Sequence, residues 1–184
     1  MYNFIKTIVE GRSLKKLEQT PLPYPKDGLG RSLSKQSLDY HHGKLYKGYV
    51  DRFNNGEGDP EFNEAGAFLH DLYFTQFQKP KNNNKPEGPA SELIIEKFKT
   101  FEKFKDDFEK IAMKIQGSGW VYLSKKGEIK TIVNHQIKQD IALLIDWWEH
   151  AWALDYQADK KKYLENQWKI INWNVVSARI GLES

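Results

Sequence analysis

The chain has 184 residues, of which 39% are hydrophobic and 29% charged, a composition typical of a globular protein rather than a disordered one. It contains no cysteine, which excludes disulfides, thiolate metal sites and cysteine nucleophiles. The net charge is +3, and the lysines are scattered among acidic residues, so the concentrated basic face that nucleic-acid binding requires is not expected.

The first half of the chain is predicted to be an extension followed by two helices. Residues 1–20 are weakly amphipathic and are interpreted as an N-terminal extension. Ser34 is a candidate N-cap for a helix that runs to about Phe53, since its hydroxyl can accept a hydrogen bond from the first turn. A turn rich in Asn, Gly and Pro leads into a second helix over about 61–78. Residues 21–89 are therefore predicted to form a helical hairpin domain.

A linker separates this hairpin from the second half of the chain. Residues 79–89 carry three prolines and three asparagines, a composition that interrupts regular structure. Beyond it, Ser91 is the candidate cap of one long helix that ends near Ile115. Its phenylalanines recur at helical spacing, which indicates a face packed into the core.

The remainder predicts a small sheet and further helices. Trp120–Ser124 and Glu128–Val133 alternate in polarity around Lys-Gly and predict a β-hairpin, and 141–145 predicts a third, buried strand. We therefore expect an α+β protein: the helical hairpin, then a C-terminal α/β domain over 90–184 with a three-stranded antiparallel sheet.

Histidines suggest a metal site. There are five of them, and a single buried histidine is most often a structural residue. However, Asp146 and His150 are four residues apart at the start of a predicted helix, so their side chains can converge. His41 and His70 lie on the two helices of the hairpin and can meet across it. Three imidazoles and one carboxylate suit a first-row transition metal better than magnesium or calcium, which prefer oxygen ligands.

The local sequences around these residues resemble those of the iron/manganese superoxide dismutase family. The segment from Asp146 to Trp152 (DWWEHAW) is similar to the family signature D-x-W-E-H-A-[FWY]. Further matching segments occur in the same order, and the resemblance covers about 21–180; these segments are 21–27 (PLPYPKD), 40–44 (YHHGK), 65–70 (AGAFLH), 117–120 (GSGW) and 172–173 (NW).

The resemblance implies a fold, an activity and a ligand set. The expected fold is an N-terminal helical hairpin and a C-terminal α/β domain with the metal site between them. The expected activity converts superoxide into oxygen and hydrogen peroxide by redox cycling of one iron or manganese ion per subunit, with iron favoured here and a metal-bound water or hydroxide as fifth ligand. The implied protein ligands are His41, His70, Asp146 and His150.

The resemblance also assigns residues around the ligands. Tyr49 matches the gateway tyrosine that lines the substrate channel. Members usually supply a Gln to bond the metal's solvent; Gly66 stands at the position used by iron-type members, and His135 at the position used by manganese-type members, so His135 is expected to replace it. Glu149 is expected to bond the ligand His of a second subunit. The apolar wall of the site is expected from Trp120, Trp148 and Phe74.

Two positions depart from the family pattern. Many members carry a His where Leu45 stands and a Tyr where Ala153 stands, and these two groups hydrogen-bond across the subunit interface. Because both partners are replaced together, we hypothesise that activity persists with a shortened proton relay.

Partners and location follow from the same reasoning. The substrate is superoxide, and the chain is expected to form a homodimer, with a homotetramer as the alternative. The longest apolar runs are too short to span a bilayer, and the first twenty residues lack a continuous apolar segment typical of a secretory signal. A cytoplasmic protein with no membrane and no nucleic-acid partner is expected.

Three other functions remain open from the sequence. The first is a metal-binding homologue of the same fold in which Leu45 and Ala153 have abolished catalysis. The second is a non-haem iron oxygenase, because two His and one carboxylate suffice for that chemistry. The third is a structural helical interaction domain that binds no metal.

Overall fold

A β-hairpin precedes the helices. The computed structural model describes residues 4–9 and 12–181, with side chains from residue 16 onward. Strand β1 (Phe4–Val9) pairs antiparallel with β2 (Arg12–Leu17). Asn54 fastens the end of this hairpin: it accepts a hydrogen bond from the Leu17 amide and donates one to the Leu17 carbonyl, both at 2.8 Å. The sequence analysis predicted no strands in this extension.

The first predicted helix is three consecutive helical segments. Helix α1 (Lys35–Tyr40) begins as predicted, with the Ser34 side chain accepting a hydrogen bond from the third residue of the helix. A π-helical segment (His41–Tyr46) follows directly, and the chain continues as α2 (Lys47–Asn55). Gly56 ends α2 with a left-handed backbone, φ 70°, which a residue without a Cβ adopts at little cost.

Helix α3 (Pro60–Thr75) returns antiparallel and completes the hairpin. Asp59 caps it by accepting from the Phe62 amide at 2.8 Å, and the proline at the first helical position has no amide that would need a partner. At its other end, Arg179 donates to the Leu72 carbonyl, which ties α3 to the C-terminal helix.

The long helix predicted from Ser91 to Ile115 is wrong in two respects. It begins earlier, since α4 (Gly88–Phe98) starts at Gly-Pro and leaves Ser91 inside the helix instead of at its cap. It is also interrupted, because the backbone of Lys99 is left-handed at φ 74°, and α5 (Phe101–Ala112) starts with a new cap. That cap is Thr100, whose hydroxyl accepts from the amide three residues on.

The predicted α+β fold with a three-stranded antiparallel sheet is confirmed. Strand β3 (Gly119–Ser124) lies in the centre between β4 (Ile129–Val133) and β5 (Ile141–Asp146), and both pairings are antiparallel. All residues of β3 and β5 are buried, whereas β4 is the partly exposed edge.

Three helices close the fold: α6 (Glu149–Tyr156), α7 (Lys160–Ile170) and α8 (Trp173–Gly181). Asp146, placed at the start of a helix by the sequence analysis, is instead the last residue of β5, and α6 begins three residues later. Across the part of the chain that the structure describes, none of the helices combines the length and apolarity that crossing a membrane requires.

Candidate metal centre

Four side chains converge at one buried point between the helical hairpin and the sheet. One potential ligand atom from each of His41, His70, Asp146 and His150 lies within 4.8 Å of the others. The Nε2 atoms of the three histidines lie 3.1, 3.8 and 3.3 Å, in chain order, from Oδ2 of the aspartate. The first three residues are essentially inaccessible, and His150 is 16% exposed.

The same four atoms are left without hydrogen-bond partners. The three Nε2 atoms and Oδ2 of Asp146 are buried and make no hydrogen bond. Unpaired buried polar atoms are costly, so four of them aimed at one point indicate that a bound ion completes the site. Nitrogen and carboxylate oxygen donors in this ratio fit iron or manganese, which agrees with the ligand set expected from the sequence.

The π-helical segment sets the register between His41 and Tyr49. In a regular α-helix, a residue eight positions on is rotated by about 80° beyond two full turns. The π-helical segment has wider turns, so each residue advances by a smaller angle and the tyrosine returns towards the face that carries the histidine. The Tyr49 ring consequently lies 5.3 Å from the ring of His70, beside the ligands.

His70 is oriented by its own helix. Its Nδ1 lies 2.7 Å from the carbonyl oxygen of Gly66, one turn earlier on α3. A carbonyl only accepts, so Nδ1 carries the proton and the lone pair is left on Nε2, which faces the centre.

Asp146 is oriented by the strand end on which it lies. Its Oδ1 accepts from the Trp148 amide at 2.8 Å, which leaves Oδ2 for the centre. The turn between β5 and α6 then places His150 in the first turn of α6, with its Nε2 atom 3.3 Å from Oδ2 of Asp146.

Burial keeps the donor groups in the protonation states that metal binding needs. It lowers the pKa of His41 to about 4 and that of His70 well below its usual value, so both imidazoles are neutral near pH 7. Burial alone would raise the pKa of Asp146, but the neighbouring His150 and His41 outweigh it and lower that pKa, so the carboxylate is ionised. Neutral imidazoles and a carboxylate are the forms that bind a metal.

A hydrogen-bonded chain runs beside the centre through His135. Trp120 Nε1 donates to His135 Nδ1 at 3.1 Å, and His135 Nε2 lies 3.0 Å from the Tyr49 hydroxyl. Because an indole nitrogen only donates, Nδ1 is the acceptor and the neutral ring carries its proton on Nε2, which donates to the tyrosine. Burial lowers the pKa of His135 to about 4 and raises that of Tyr49 to about 12, so both groups are neutral.

Aromatic rings surround the centre. Trp148 stacks on His135 with ring centroids 4.5 Å apart, and Phe74 packs edge-on against His41 at 4.8 Å. Trp120 contacts His70 at 5.1 Å, so the three residues predicted as the site wall all lie against histidines of the site.

Phe62 also belongs to this wall, although the sequence analysis did not name it. Its ring lies 4.7 Å from His135 and 6.0 Å from Tyr49. No periodic signal singled it out, because it lies eight residues before His70 on α3, a separation that rotates it about 80° from that residue in a regular helix.

Glu149 lies outside the ligand cluster. It is exposed at the start of α6 and lines a surface cavity of about 560 Å³ together with His150 and Ala153. The exposed apolar side chains of Tyr40 and Leu154, 45% and 48% accessible, border the same cavity. His150 thus reaches a surface on which two large apolar side chains are exposed.

Several known proteins have sequences similar to this chain. The family model described as iron/manganese superoxide dismutases, C-terminal domain, matches residues 86–179. "Superoxide dismutase [Mn/Fe]" of Porphyromonas gingivalis is 34% identical, over 88% of this chain and 98% of that protein. "Superoxide dismutase [Fe]" of Bacteroides fragilis is 33% identical, over 89% and 98%, and that of Pyrobaculum aerophilum 31%, over 90% and 92%.

Proposed function

The chain belongs to the iron/manganese superoxide dismutase family, and we propose that His41, His70, Asp146 and His150 hold the metal ion with which it converts superoxide into oxygen and hydrogen peroxide. The observation that supports this ligand set is the convergence of four buried, otherwise unpaired donor atoms within 4.8 Å. The third histidine distinguishes the site from the two-His, one-carboxylate arrangement of non-haem oxygenases.

A bound iron or manganese ion would supply one-electron redox chemistry, by which one superoxide would be oxidised to oxygen and a second reduced to peroxide. The protein's part is to present one lone pair from each ligand. Asp146 Oδ1 and His70 Nδ1 are both occupied by main-chain groups, so neither side chain can turn its other polar atom inward. The aromatic wall limits the entry of water, which strengthens the interactions of the ligands with a cation.

We propose that Tyr49 delivers protons to the solvent at the metal and that His135 positions Tyr49 for this role. Superoxide reduction consumes two protons. The Tyr49 ring lies 5.3 Å from the ring of His70, so its hydroxyl is a polar group close to the proposed ligands that can supply a proton. His135 donates to that hydroxyl and is itself held by Trp120, so the tyrosine's own proton is free to point towards the centre. Both ring nitrogens of His135 are used in these two bonds, so it would act on the metal's solvent through Tyr49 and not by the direct bond that a Gln amide makes in other members.

Substitution of Asp146 tests the ligand set. Asp146→Ala removes the one anionic donor, and we expect purified protein to retain far less than one metal ion per chain and to lose dismutase activity. The matched control is Asp140→Ala, since Asp140 also hydrogen-bonds but lies at the sheet surface, away from the centre. Full metal content in Asp146→Ala would contradict the proposed ligands.

A catalytically silent homologue is the alternative, and reconstitution distinguishes it. We expect protein loaded with iron or manganese to turn over superoxide despite Leu45 and Ala153. If metal-loaded wild type is inactive while Leu45→His/Ala153→Tyr is active, Leu45 and Ala153 have abolished catalysis and the chain is a catalytically silent homologue.

We propose a homodimer formed through the surface around Glu149. The exposed Tyr40 and Leu154 provide apolar area there, and the adjacent His150 would join the interface to the centre. Light scattering should give twice the mass of the chain, and Leu154→Glu should reduce it to the mass of one. A tetramer in wild type, or a dimer unaffected by Leu154→Glu, would contradict this surface as the sole contact.

We also propose a preferred metal, a cellular location and a pair of domain boundaries for this chain. We propose iron as the preferred metal, to be tested by comparing activity after reconstitution with each ion. A cytoplasmic location is tested by cell fractionation. The boundaries at 21–89 and 90–184 are tested by limited proteolysis, which should cut first within 79–89.

A further inference from the structure

We infer that Tyr163, a residue of α7 outside the proposed ligand set, is a positioning residue that holds Asp146 in its ligating geometry through the main chain. The inference rests on the proposed metal site, and it concerns how that site is held in place. It starts from the carbonyl oxygen of Asp146, which accepts a hydrogen bond from the Tyr163 hydroxyl at 2.9 Å.

The direction of this bond is fixed by chemistry. A carbonyl oxygen only accepts, so the Tyr163 hydroxyl must donate its single hydrogen to it. The Tyr73 hydroxyl lies 2.9 Å from the Tyr163 oxygen and therefore donates to it. Tyr73 also lies 3.4 Å from Oε1 of Gln167, so its proton is shared between two buried acceptors.

The chain of hydroxyls joins the elements that carry the ligands. Tyr73 is on α3, three residues after His70, and its ring lies 5.6 Å from that of His41. Tyr163 comes from α7, which supplies no ligand of its own. Both tyrosines are fully buried, so water does not compete for these bonds.

Asp146 is placed where such support matters. It is the last residue of β5, where the ladder ends and the chain turns into α6. Trp148 fixes its carboxylate through Oδ1, and Tyr163 fixes its peptide through the carbonyl oxygen, so the two bonds together determine the direction of Oδ2. Loss of the Tyr163 bond leaves the direction of Oδ2 to the Trp148 bond and the pairing of Asp146 with Trp120 in the sheet.

Tyr163→Phe in the iron-loaded protein tests this inference, because it removes one oxygen and keeps the ring. Partners that orient metal ligands typically change metal affinity by about 10–100-fold when removed. We expect iron release to a chelator to accelerate by about tenfold or more, and the ferric electron paramagnetic resonance spectrum to change its rhombicity. Tyr73→Phe should change both less, because Tyr163 keeps its bond to Asp146.

The control is Tyr122→Phe, since Tyr122 is also buried and its hydroxyl bonds Asp140 at the far side of the sheet. A loss of thermal stability in this variant is compatible with the inference, but its ferric spectrum and iron release should equal those of wild type. A wild-type spectrum and release rate for Tyr163→Phe would overturn the inference while the ligand set stands. If wild type itself bound no iron or manganese, the proposed function would fail instead.

Discussion

The contact between Gly66 and Tyr49 gives the sharpest test of how the site is packed. A Cβ added at Gly66 would lie 2.8 Å from both Cγ and Cδ1 of Tyr49. Ordinary contact begins at 3.4 Å, so the ring would have to withdraw by about 0.6 Å. Those atoms are near the root of the side chain, and Phe62, His70 and Arg52 enclose the ring on other sides, so it has no free direction to move.

We therefore expect Gly66→Ala to destabilise the metal-loaded protein by about 1–3 kcal/mol, the usual cost of overpacking a core. For a chain of this length that corresponds to a decrease of roughly 2–12 °C in the thermal midpoint. The Tyr49 hydroxyl is only 3.0 Å from His135, so a displacement of this size would also weaken that bond. Turnover should fall towards that of Tyr49→Phe while metal content stays unchanged.

Two controls separate this clash from a general effect of losing a glycine. Gly43 lies in the π-helical segment with nothing within 4 Å of an added Cβ, so Gly43→Ala should be neutral or slightly stabilising. In a Tyr49→Ala background the clash is absent, and Gly66→Ala should then cost close to nothing. If Gly66→Ala were equally destabilising with and without the tyrosine ring, the reasoning would be refuted.

Three further substitutions test contacts elsewhere. His135→Gln should keep most stability and activity, because an amide can accept from Trp120 and donate to Tyr49. His135→Leu leaves the Trp120 indole and the Tyr49 hydroxyl without this partner, and it should lower the free energy of unfolding, measured by chemical denaturation, by about 2–4 kcal/mol. Arg179→Met should lower the free energy of unfolding by about 2–3 kcal/mol, because it removes four hydrogen bonds to the end of α3 and to β5. Arg179→Lys keeps the charge and should lower the free energy of unfolding by less. An equal decrease in both variants would argue against the hydrogen bonds as the cause. Asn54→Ala should leave the thermal midpoint within about 2 °C but accelerate amide exchange at 12–17, and unchanged exchange would show that the two bonds to Leu17 do not hold the β-hairpin.

The elements that sequence patterns predicted well are those whose pattern is local. The cap at Ser34 and the hairpin strands follow from short-range chemistry, and both are in the structure. The break at Lys99 was missed because a left-handed non-glycine residue has no sequence signal, and the phenylalanine spacing continues across it.

The four proposed ligands could be named from the sequence because the family signature lies around them, but the groups that orient them could not. Nothing in the sequence distinguishes Tyr163 from the other tyrosines, and only the fold brings it to Asp146. The sequence likewise carries no signal for the π-helical segment. A regular helix over 34–53 would place Tyr49 only approximately on the side of His41. Long-range contacts between helices separated by up to a hundred residues decide these details.

The supports of Asp146 and His70 do not depend on the two positions that depart from the family pattern. Asp146 and His70 are oriented by main-chain groups, and a main-chain donor or acceptor is retained whatever side chain stands at that position. The replaced polar bridge at Leu45 and Ala153 lies outside both supports, since Ala153 lines the exposed cavity beside Glu149. We therefore expect Leu45 and Ala153 to leave the geometry of the proposed ligands unchanged, so that reconstituted protein binds its metal normally whatever their effect on proton delivery.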